Sequence, residues 1–161
     1  AGVDQATNTG VSPLWITSQN GHVFDVVRLL LEKGATVNKA RHDGASPLSI
    51  ASHSGHLNVA RLLLENGATV NQAANGGWSP LHVACSRGRV HVAQLLLANG
   101  AQVKQAANNG ATPLFVAFGA QQMRTAKLLL NNGADVDFGG SEGLLFAACR
   151  SGAVDAASEN G

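Results

Sequence analysis

The stretch GWSPLHVACSRGRVHVAQLLLANGA, residues 77–101, decides the fold, because most of its pattern recurs on both sides of it along the chain. Its Ser-Pro-Leu returns as Ser-Pro-Leu or Thr-Pro-Leu, with prolines at positions 13, 47, 80 and 113 that step by 34, 33 and 33 residues. Its triple leucine returns in runs that start at positions 29, 62, 95 and 128, always 33 residues apart. A fixed period of this length is typical of stacked repeat proteins. We therefore expect an array in which each unit buries its apolar face against its neighbours.

Each unit predicts two short helices joined by a tight turn. Ser79 offers an N-cap oxygen and Pro80 suits the first helical position, so we predict a first helix over about residues 80–87, ended by Gly88. A second helix is predicted over about residues 90–98. The leucine triplets are expected to pack in the core. The other residues expected to face the core of this unit are Leu81, Ala84 and Cys85 on the first helix, and Val90, Ala93, Leu96 and Leu97 on the second.

These motifs combine with a Gly-His pair at residues 21–22 and 55–56 and a Val-Asn pair at residues 37–38 and 70–71. Together they resemble the ankyrin repeat over about residues 3–152. The resemblance implies an all-α repeat fold, an α-solenoid in which helix-turn-helix units stack side by side and carry β-hairpin finger loops. It also implies that the first helices line a concave groove, and that other proteins usually bind to the groove and the fingertips.

The period divides the chain as one ankyrin-repeat domain over residues 1–161. The first residues match the tail of a repeat, which suggests that the chain was cut from a longer array. The predicted divisions are the tail of a preceding repeat at about 1–9, repeat 1 at 10–43, repeat 2 at 44–76, repeat 3 at 77–109, repeat 4 at 110–140, and a degenerate or truncated C-terminal repeat at 141–161.

Three departures from the pattern are expected to change the local structure. The first unit has one extra residue between Gly21 and Gly34, so its second helix must bulge or start differently. In the fourth unit, Gln121-Gln122 replaces Gly-His, which predicts the least regular of the turns. The last unit lacks the proline and the leucine triplet, as suits either an end repeat or a truncated one.

Composition narrows the class of partner. A formal net charge of +1 and 13% charged residues give no field that would attract nucleic acid, so we expect no nucleic-acid partner. No apolar run approaches the roughly 20 residues that span a bilayer, so we expect no membrane insertion. Cys85 and Cys149 lie at equivalent repeat positions, which favours small buried residues in a reducing compartment over a disulfide. We expect an intracellular, cytoplasmic monomer.

Histidines and cysteines are the candidates for chemistry. His82 and Cys85 have a spacing that zinc could use, but no second His/Cys pair completes such a site. His82 also stands in the His position of the family's Thr-Pro-Leu-His signature, and His22 and His56 flank turn glycines, so we expect all three to form structural hydrogen bonds. Neither a Gly-x-x-x-x-Gly-Lys phosphate loop nor a Gly-x-Ser-x-Gly elbow is present. We predict no catalytic residue, no metal and no cofactor.

Residues that the repeat does not require are the candidates for binding a partner. Trp78 has Val11, Ala45 and Ala111 as counterparts, so it is either an interface anchor or a residue that packs on the adjacent finger. Trp15 occupies the signature His position, where packing against an upstream repeat is expected. The predicted fingertips are residues 39–43, 72–76 with Trp78, 105–109 with Ala111, and 138–142. The predicted partner-binding residues, at the fingertips and at the ends of the first helices, are Arg41, His42, Asp43, His53, Asn75, Trp78, Ser86, Arg87, Asn108 and Asn109.

Lys39, Arg41 and His42 form a local basic cluster beside Asp43. It is interpreted as a solvated fingertip or, alternatively, as a contact for an acidic peptide. The leading interpretation of the whole chain is a protein-protein interaction module without catalysis, which binds a protein or peptide. The alternatives are the targeting or regulatory ankyrin part of a larger enzyme or effector, and a structural scaffold with no specific ligand.

Overall fold

A computed structural model describes residues 2–21 and 24–136, and within these residues the chain forms eight helices in four pairs. We call the pairs the first to fourth units. Their bounds are α1 (Pro13–Asn20), α2 (Phe24–Glu32), α3 (Pro47–Ser54), α4 (Leu57–Glu65), α5 (Pro80–Ser86), α6 (Val90–Ala98), α7 (Pro113–Gly119) and α8 (Met123–Asn131). The all-α repeat stack is confirmed. None of the described helices is both long and apolar enough to cross a bilayer.

The same capping signal starts the first helix of every unit. The side chain of Ser79 accepts a hydrogen bond from the backbone N–H of His82, and Pro80 follows as the first helical residue. Ser12, Ser46 and Thr112 cap α1, α3 and α7 in the same way. The cap satisfies one of the N–H groups that a helix start leaves without an intrahelical partner. The four first helices begin at the prolines, so the predicted helix starts are confirmed.

The helices form two layers with the core between them. The odd-numbered helices pack side by side, the even-numbered helices pack side by side, and each pair closes across the core. Leu81, Ala84 and Cys85 are fully buried on α5, as predicted. The largest fully buried aliphatic side chains are Leu14, Leu48, Leu63, Leu81, Leu96, Leu114 and Leu129.

The buried face of α6 differs from the prediction. Val92, Ala93 and Leu96 are 2%, 0% and 0% exposed, whereas Val90 and Leu97 are only half-buried. Val90 lies in the first turn of the helix, where it lines an open cavity beside Gly88. The core-facing residue of that turn is therefore Val92.

The leucine triplets are also less uniformly buried than predicted. The middle leucine is fully buried in α4, α6 and α8, but in α2 the first leucine, Leu29, is 51% exposed together with Val26 at 41%. Among the described elements α2 packs mainly against α1 and α4, and the face that carries Val26 and Leu29 is left exposed. Helix α2 has nine residues like its counterparts, so the extra residue of the first unit falls before Phe24.

The connections between units are tight turns. In the first, Gly44 N–H donates to Arg41 O at 2.9 Å and Arg41 N–H donates to Ala45 O at 3.0 Å. No β-strand occurs within residues 2–21 and 24–136, so the predicted β-hairpin fingers are not confirmed. Each turn instead bonds to the next one along the stack, as Asn75 N–H does to Asp43 O at 2.8 Å. The predicted last repeat, with Cys149, and residues 22–23, with His22, lie outside the described residues.

A second set of bonds joins the units beside the helix ends. Asn38 donates through Nδ2 to Gly67 O at 3.2 Å and accepts through Oδ1 from Thr69 N–H at 2.8 Å. Asn71 repeats both bonds one unit later, with Gly100 O and Gln102 N–H. At the next junction Lys104 replaces asparagine and forms an ion pair with Asp135 at 2.8 Å, both side chains being more than half exposed.

The turn between α7 and α8 is the irregular one, as predicted. Gln121 has a φ of +58° and is the only non-glycine residue with positive φ among the described residues. Gly88 occupies the same position in the third unit with a φ of +63°. The left-handed conformation costs a residue with a Cβ roughly 1–2 kcal/mol, so Gln121 strains this turn.

We predict that Gln121→Gly stabilises the protein. Relief of the left-handed strain outweighs the entropy that glycine adds to the unfolded chain, so the free energy of unfolding should rise by about 0.5–1 kcal/mol. Urea denaturation followed by circular dichroism measures the change. Gln121→Ala is the matched control, because it removes the same side chain and keeps the strain. Equal stabilisation by both variants would contradict a backbone cause.

Candidate partner-binding surface

The first helices share a surface that does not face the core, which we call the first-helix face. Its apolar part is formed by Ile16, which is 39% exposed, and by the half-buried Ile50 and Val83. These residues hold equivalent positions in successive units and are β-branched, so their side chains have few rotamers to lose on binding. The polar end of the face carries the predicted residues His53, Ser86 and Arg87.

His53 joins the second and third units at this polar end. Arg87 donates through Nε to His53 Nε2 at 2.9 Å, and Arg89 donates through Nε to the carbonyl oxygen of His53 at 3.2 Å. Burial lowers the pKa of His53, and the positive charges of Arg87 and Arg89 lower it further. A neutral His53 therefore accepts the bond and holds Arg87 in place. Ser86 donates to Val83 O at 2.9 Å within its own helix.

Trp78 lies half-buried at the base of the turn that precedes α5. Its ring lies 5.6 Å from the ring of His82, centroid to centroid, with the planes tilted by 58°. His82 is completely buried in the same unit. Trp78 is thus supported from within its own unit while part of its ring remains accessible.

His82 forms the structural hydrogen bonds that its signature position predicted. Its Nε2 lies 3.0 Å from Ala111 O, so this nitrogen carries the proton, and the N–H donates a hydrogen bond to the next unit. Its Nδ1 accepts from the backbone N–H of Ser79 at 3.2 Å. Both ring nitrogens are occupied, which leaves neither for a metal. Burial lowers the pKa of His82, against the opposing pull of the Ala111 carbonyl.

Trp15 takes the same role in the first unit. It is 3% exposed, and its Nε1 donates to Ala45 O at 2.9 Å. The expectation that it packs against an upstream repeat is wrong, because the indole N–H points to the following unit. The sequence held a signal for this direction, because Trp15 and His82 occupy the same repeat position and both rings can donate an N–H from it. The Arg41 guanidinium lies 4.8 Å from the centroid of the Trp15 ring.

At the first fingertip, two of the three basic side chains are bonded within the protein and are not free to form a basic cluster. Arg41 forms an ion pair with Asp43 and donates through Nε to Asp43 Oδ1 at 3.0 Å. Hydrogen bonding from Arg41 lowers the pKa of Asp43, which also accepts from Ala45 N–H. Lys39 donates to Asp4 O at 2.8 Å, back toward the preceding turn. His42 is the exposed side chain at the tip, beside a depression of about 400 Å³.

The asparagines of the later fingertips divide into two kinds. Asn109 accepts from Ala111 N–H at 3.1 Å, the same turn-forming bond that Asp43 makes. Asn75 and Asn108 use their backbone N–H groups to join the preceding turn, Asn75 adds a long side-chain bond from Nδ2 to His42 O at 3.5 Å, and both side chains are exposed. Asn75 and Asn108 thus add amide groups to the surface, while Asn109 fixes the shape of its turn.

The predicted residues therefore form two groups rather than one site. The fingertip residues and Trp78 lie where the first helices begin, and His53, Ser86 and Arg87 lie where they end. Helix α5 has seven residues, so about 10 Å separates the groups along the helix. Sequence reasoning missed Arg89, although its signal was present: Arg89 replaces the His of the Gly-His pair in the third unit.

The described residues offer few groups that could react with a substrate or bind a metal. Burial raises the pKa of the Cys85 thiol to about 12, so the thiol stays protonated and is a poor nucleophile. Among the described residues no three His, Cys, Asp or Glu side chains come together as metal ligands would. The surface is equipped for contact through an aromatic ring, aliphatic side chains and fixed guanidinium groups.

Comparison with known proteins agrees with the repeat pattern. A family model described as ankyrin repeats (3 copies) matches residues 1–74 and 70–139. The two matches together include all eight described helices. No curated protein matches the chain.

We predict that stability falls as the pH drops below about 6.5. The pKa values of His82 and His53 are lowered in the folded protein, so the unfolded chain, with a histidine pKa near 6.5, takes up protons first. Stability is complete above that pH and is lost as the pH falls toward the folded values. The slope should approach about 1.4 kcal/mol per pH unit for one such group.

Urea denaturation at a series of pH values between 5 and 8 measures this slope. His82→Gln should lower stability at pH 8 and flatten the profile, because glutamine can donate a bond but does not titrate in this range. His53→Gln, at a half-exposed position, should keep most of the slope. A profile that is unchanged in His82→Gln would contradict the role given to the buried ring.

Proposed function

The chain belongs to the ankyrin-repeat family, whose members generally act as protein-protein interaction modules, and on this basis we propose that it binds a protein or peptide without catalysing a reaction. The proposed contact uses the first-helix face and the fingertips. The observation that carries the proposal is Trp78, a partly accessible aromatic side chain at a position where the other units have Val11, Ala45 and Ala111. Tryptophan and arginine are the residue types most enriched among interface hot spots.

Rigidity supports this use of the surface. The fingertips bond to each other along the stack through backbone groups, including Asn108 N–H to Gly76 O at 2.9 Å. Trp78 rests on the buried His82 ring, and Arg87 is fixed by His53. Groups that are already held in position lose little conformational entropy when a partner binds.

The chemistry of the face favours a mixed apolar and polar partner. Ile50 and Val83 present aliphatic side chains between the level of Trp78 and that of Arg87. A peptide or protein segment about 10 Å long could contact the aromatic ring with one side chain and the guanidinium with another. Arg87 would favour an acceptor such as a carboxylate at the second position.

The predicted candidate residues keep different roles within the proposal. We assign direct contact to His42, Asn75, Trp78, Arg87 and Asn108, whose side chains are at least partly exposed. Arg41, Asp43, His53, Ser86 and Asn109 make bonds within the protein and would act by holding the contact residues. As proposed, the module is a cytoplasmic monomer, and the buried free thiol of Cys85 is in keeping with a reducing compartment.

We predict that Trp78→Ala/Arg87→Ala abolishes partner binding and leaves the fold intact. Both side chains are partly exposed, so the melting temperature should change by only a few degrees. Loss of two hot-spot contacts of about 2 kcal/mol each should weaken binding by at least 100-fold. The measurement is affinity capture from native cell extract, followed by calorimetric titration of the recovered partner with purified proteins.

Leu29→Ala/Arg61→Ala is the matched control, because it also removes one exposed apolar side chain and one arginine, but from the second helices. The control should bind as the wild type does. Equal binding by all three proteins would overturn the assigned surface. Capture of no partner by any of them would favour a scaffold without a specific ligand.

A further inference from the structure

A cavity of about 540 Å³ lies where the turns of the second, third and fourth units meet. Gly55 and Gly88 form part of its wall, and the first turns of α6 and α8 form the rest. The fingertips stand where the first helices begin, and these turns follow where the first helices end. The cavity is therefore at the other end of the units from Trp78.

Every charged or titratable side chain that lines the cavity is basic. Arg89, His91 and Arg124 contribute to the wall, and no Asp or Glu does. Arg89 is held by its bond to His53 O. Arg124 forms no ion pair or hydrogen bond within the described residues, so its guanidinium has no partner there. A cavity with these walls has a positive potential.

The surrounding sequence does not neutralise this charge. Residues 66–134 contain no Asp or Glu. They contain five Lys and Arg residues, Arg87, Arg89, Lys104, Arg124 and Lys127, which give a formal net charge of +5. Lys104 is paired with Asp135 just beyond this stretch, so the overall charge of +1 conceals four basic residues here that form no ion pair among the described residues.

Two helix starts add backbone donors to the wall. Helices α6 and α8 each have nine residues, no acidic residue in the first turn and no side-chain hydrogen bond at the N-cap. The N–H groups of their first residues, Val90 and Met123, already donate to Gly88 O and Gln121 O, but those of the second residues, His91 and Arg124, are available, and both residues line the cavity. N–H groups at a helix start carry partial positive charge and favour an anion.

An independent observation comes from a buried hydroxyl in the same wall. Thr125 is completely buried, and its Oγ1 has no hydrogen-bond partner in the described structure. The second and third units have Val59 and Val92 at this position, so packing alone calls for a valine. A buried hydroxyl without a partner is destabilising, and it would donate to an anion oxygen once its side chain turns from the core toward the cavity.

We propose that this cavity binds a phosphate group, either free or carried by a peptide side chain. A phosphate has the charge and the several acceptor oxygens that two arginines, two helix starts and a hydroxyl can satisfy together. The volume exceeds that of a single phosphate and leaves room for the rest of a larger anion. This site lies beside the Arg87 end of the proposed partner-binding surface, to which Arg89 is connected through His53, and it adds a second ligand class to the protein.

The test is calorimetric titration of the full chain with inorganic pyrophosphate and, separately, with a phosphoserine peptide and its unphosphorylated form. Saturable binding that weakens with rising salt is expected. Arg89→Gln/Arg124→Gln should weaken it at least tenfold. Glutamine is suited to position 89 because Gln122 holds the equivalent place in the fourth unit. Arg61→Gln/Lys127→Gln removes the same charge outside the cavity and should bind as the wild type does.

Binding of pyrophosphate indicates a free ligand, and binding of the phosphopeptide alone indicates a peptide-borne one. Either result supports the proposal. Absence of saturable binding by both probes, or equal affinity of the wild type and the Arg89→Gln/Arg124→Gln variant, overturns it.

Thr125→Val separates the hydroxyl from the charges. In phosphate-free buffer its melting temperature should rise by a few degrees, because the unpartnered hydroxyl is gone. Its affinity for the bound probe should fall several-fold. An affinity equal to that of the wild type would overturn the role given to Thr125.

Discussion

Hydrogen bonds between equivalent positions of neighbouring units are the constraint on which this structure depends. A single unit of about 33 residues has too little core to fold alone, so the bonds that fix one unit on the next also fix each unit itself. The two-way bond of Asn38 to Gly67 and Thr69 illustrates this, since Asn71 repeats it with Gly100 and Gln102. The repeat period in the sequence is the period of these bonds. Surface residues outside them are left to vary, and the proposed contacts are drawn from that set.

Close approach at the turns places the basic groups where they are. A Cβ added at Gly55 would lie 2.8 Å from the Arg89 side chain, so glycine is needed for Arg89 to cross over this turn. Arg89 thereby reaches His53 O while its guanidinium remains at the wall of the cavity. One contact between two turns therefore contributes to the stack, to the position of His53 behind Arg87, and to the charge of the cavity.

The helix starts could be predicted because capping residues act on their immediate neighbours in the sequence. The wrong predictions concerned burial and bonding partners, which depend on residues far apart in the sequence. The cap at Ser79-Pro80 acts within four residues, so the start of α5 could be read from the sequence. Helix α6 carries apolar residues at most positions, so periodicity alone did not distinguish Val90 from Val92 as the buried residue. The direction of the Trp15 bond depends on a carbonyl 30 residues away. Which candidate surface residues are tied up internally, as Arg41 is by Asp43, also depended on contacts that only the folded chain displays.

The junction between the third and fourth units differs from the others in the strength of its bonds. Lys104 and Asp135 make an exposed ion pair where earlier junctions have asparagine bonds to backbone, and such pairs contribute little and are screened by salt. Gln122 donates to Ala120 O in its own turn, whereas the corresponding His56 bonds to Gln19 O of the preceding unit. In a linear array, opening begins at the weakest interface and proceeds unit by unit. Heat or a pulling force would therefore open this junction before the two earlier ones.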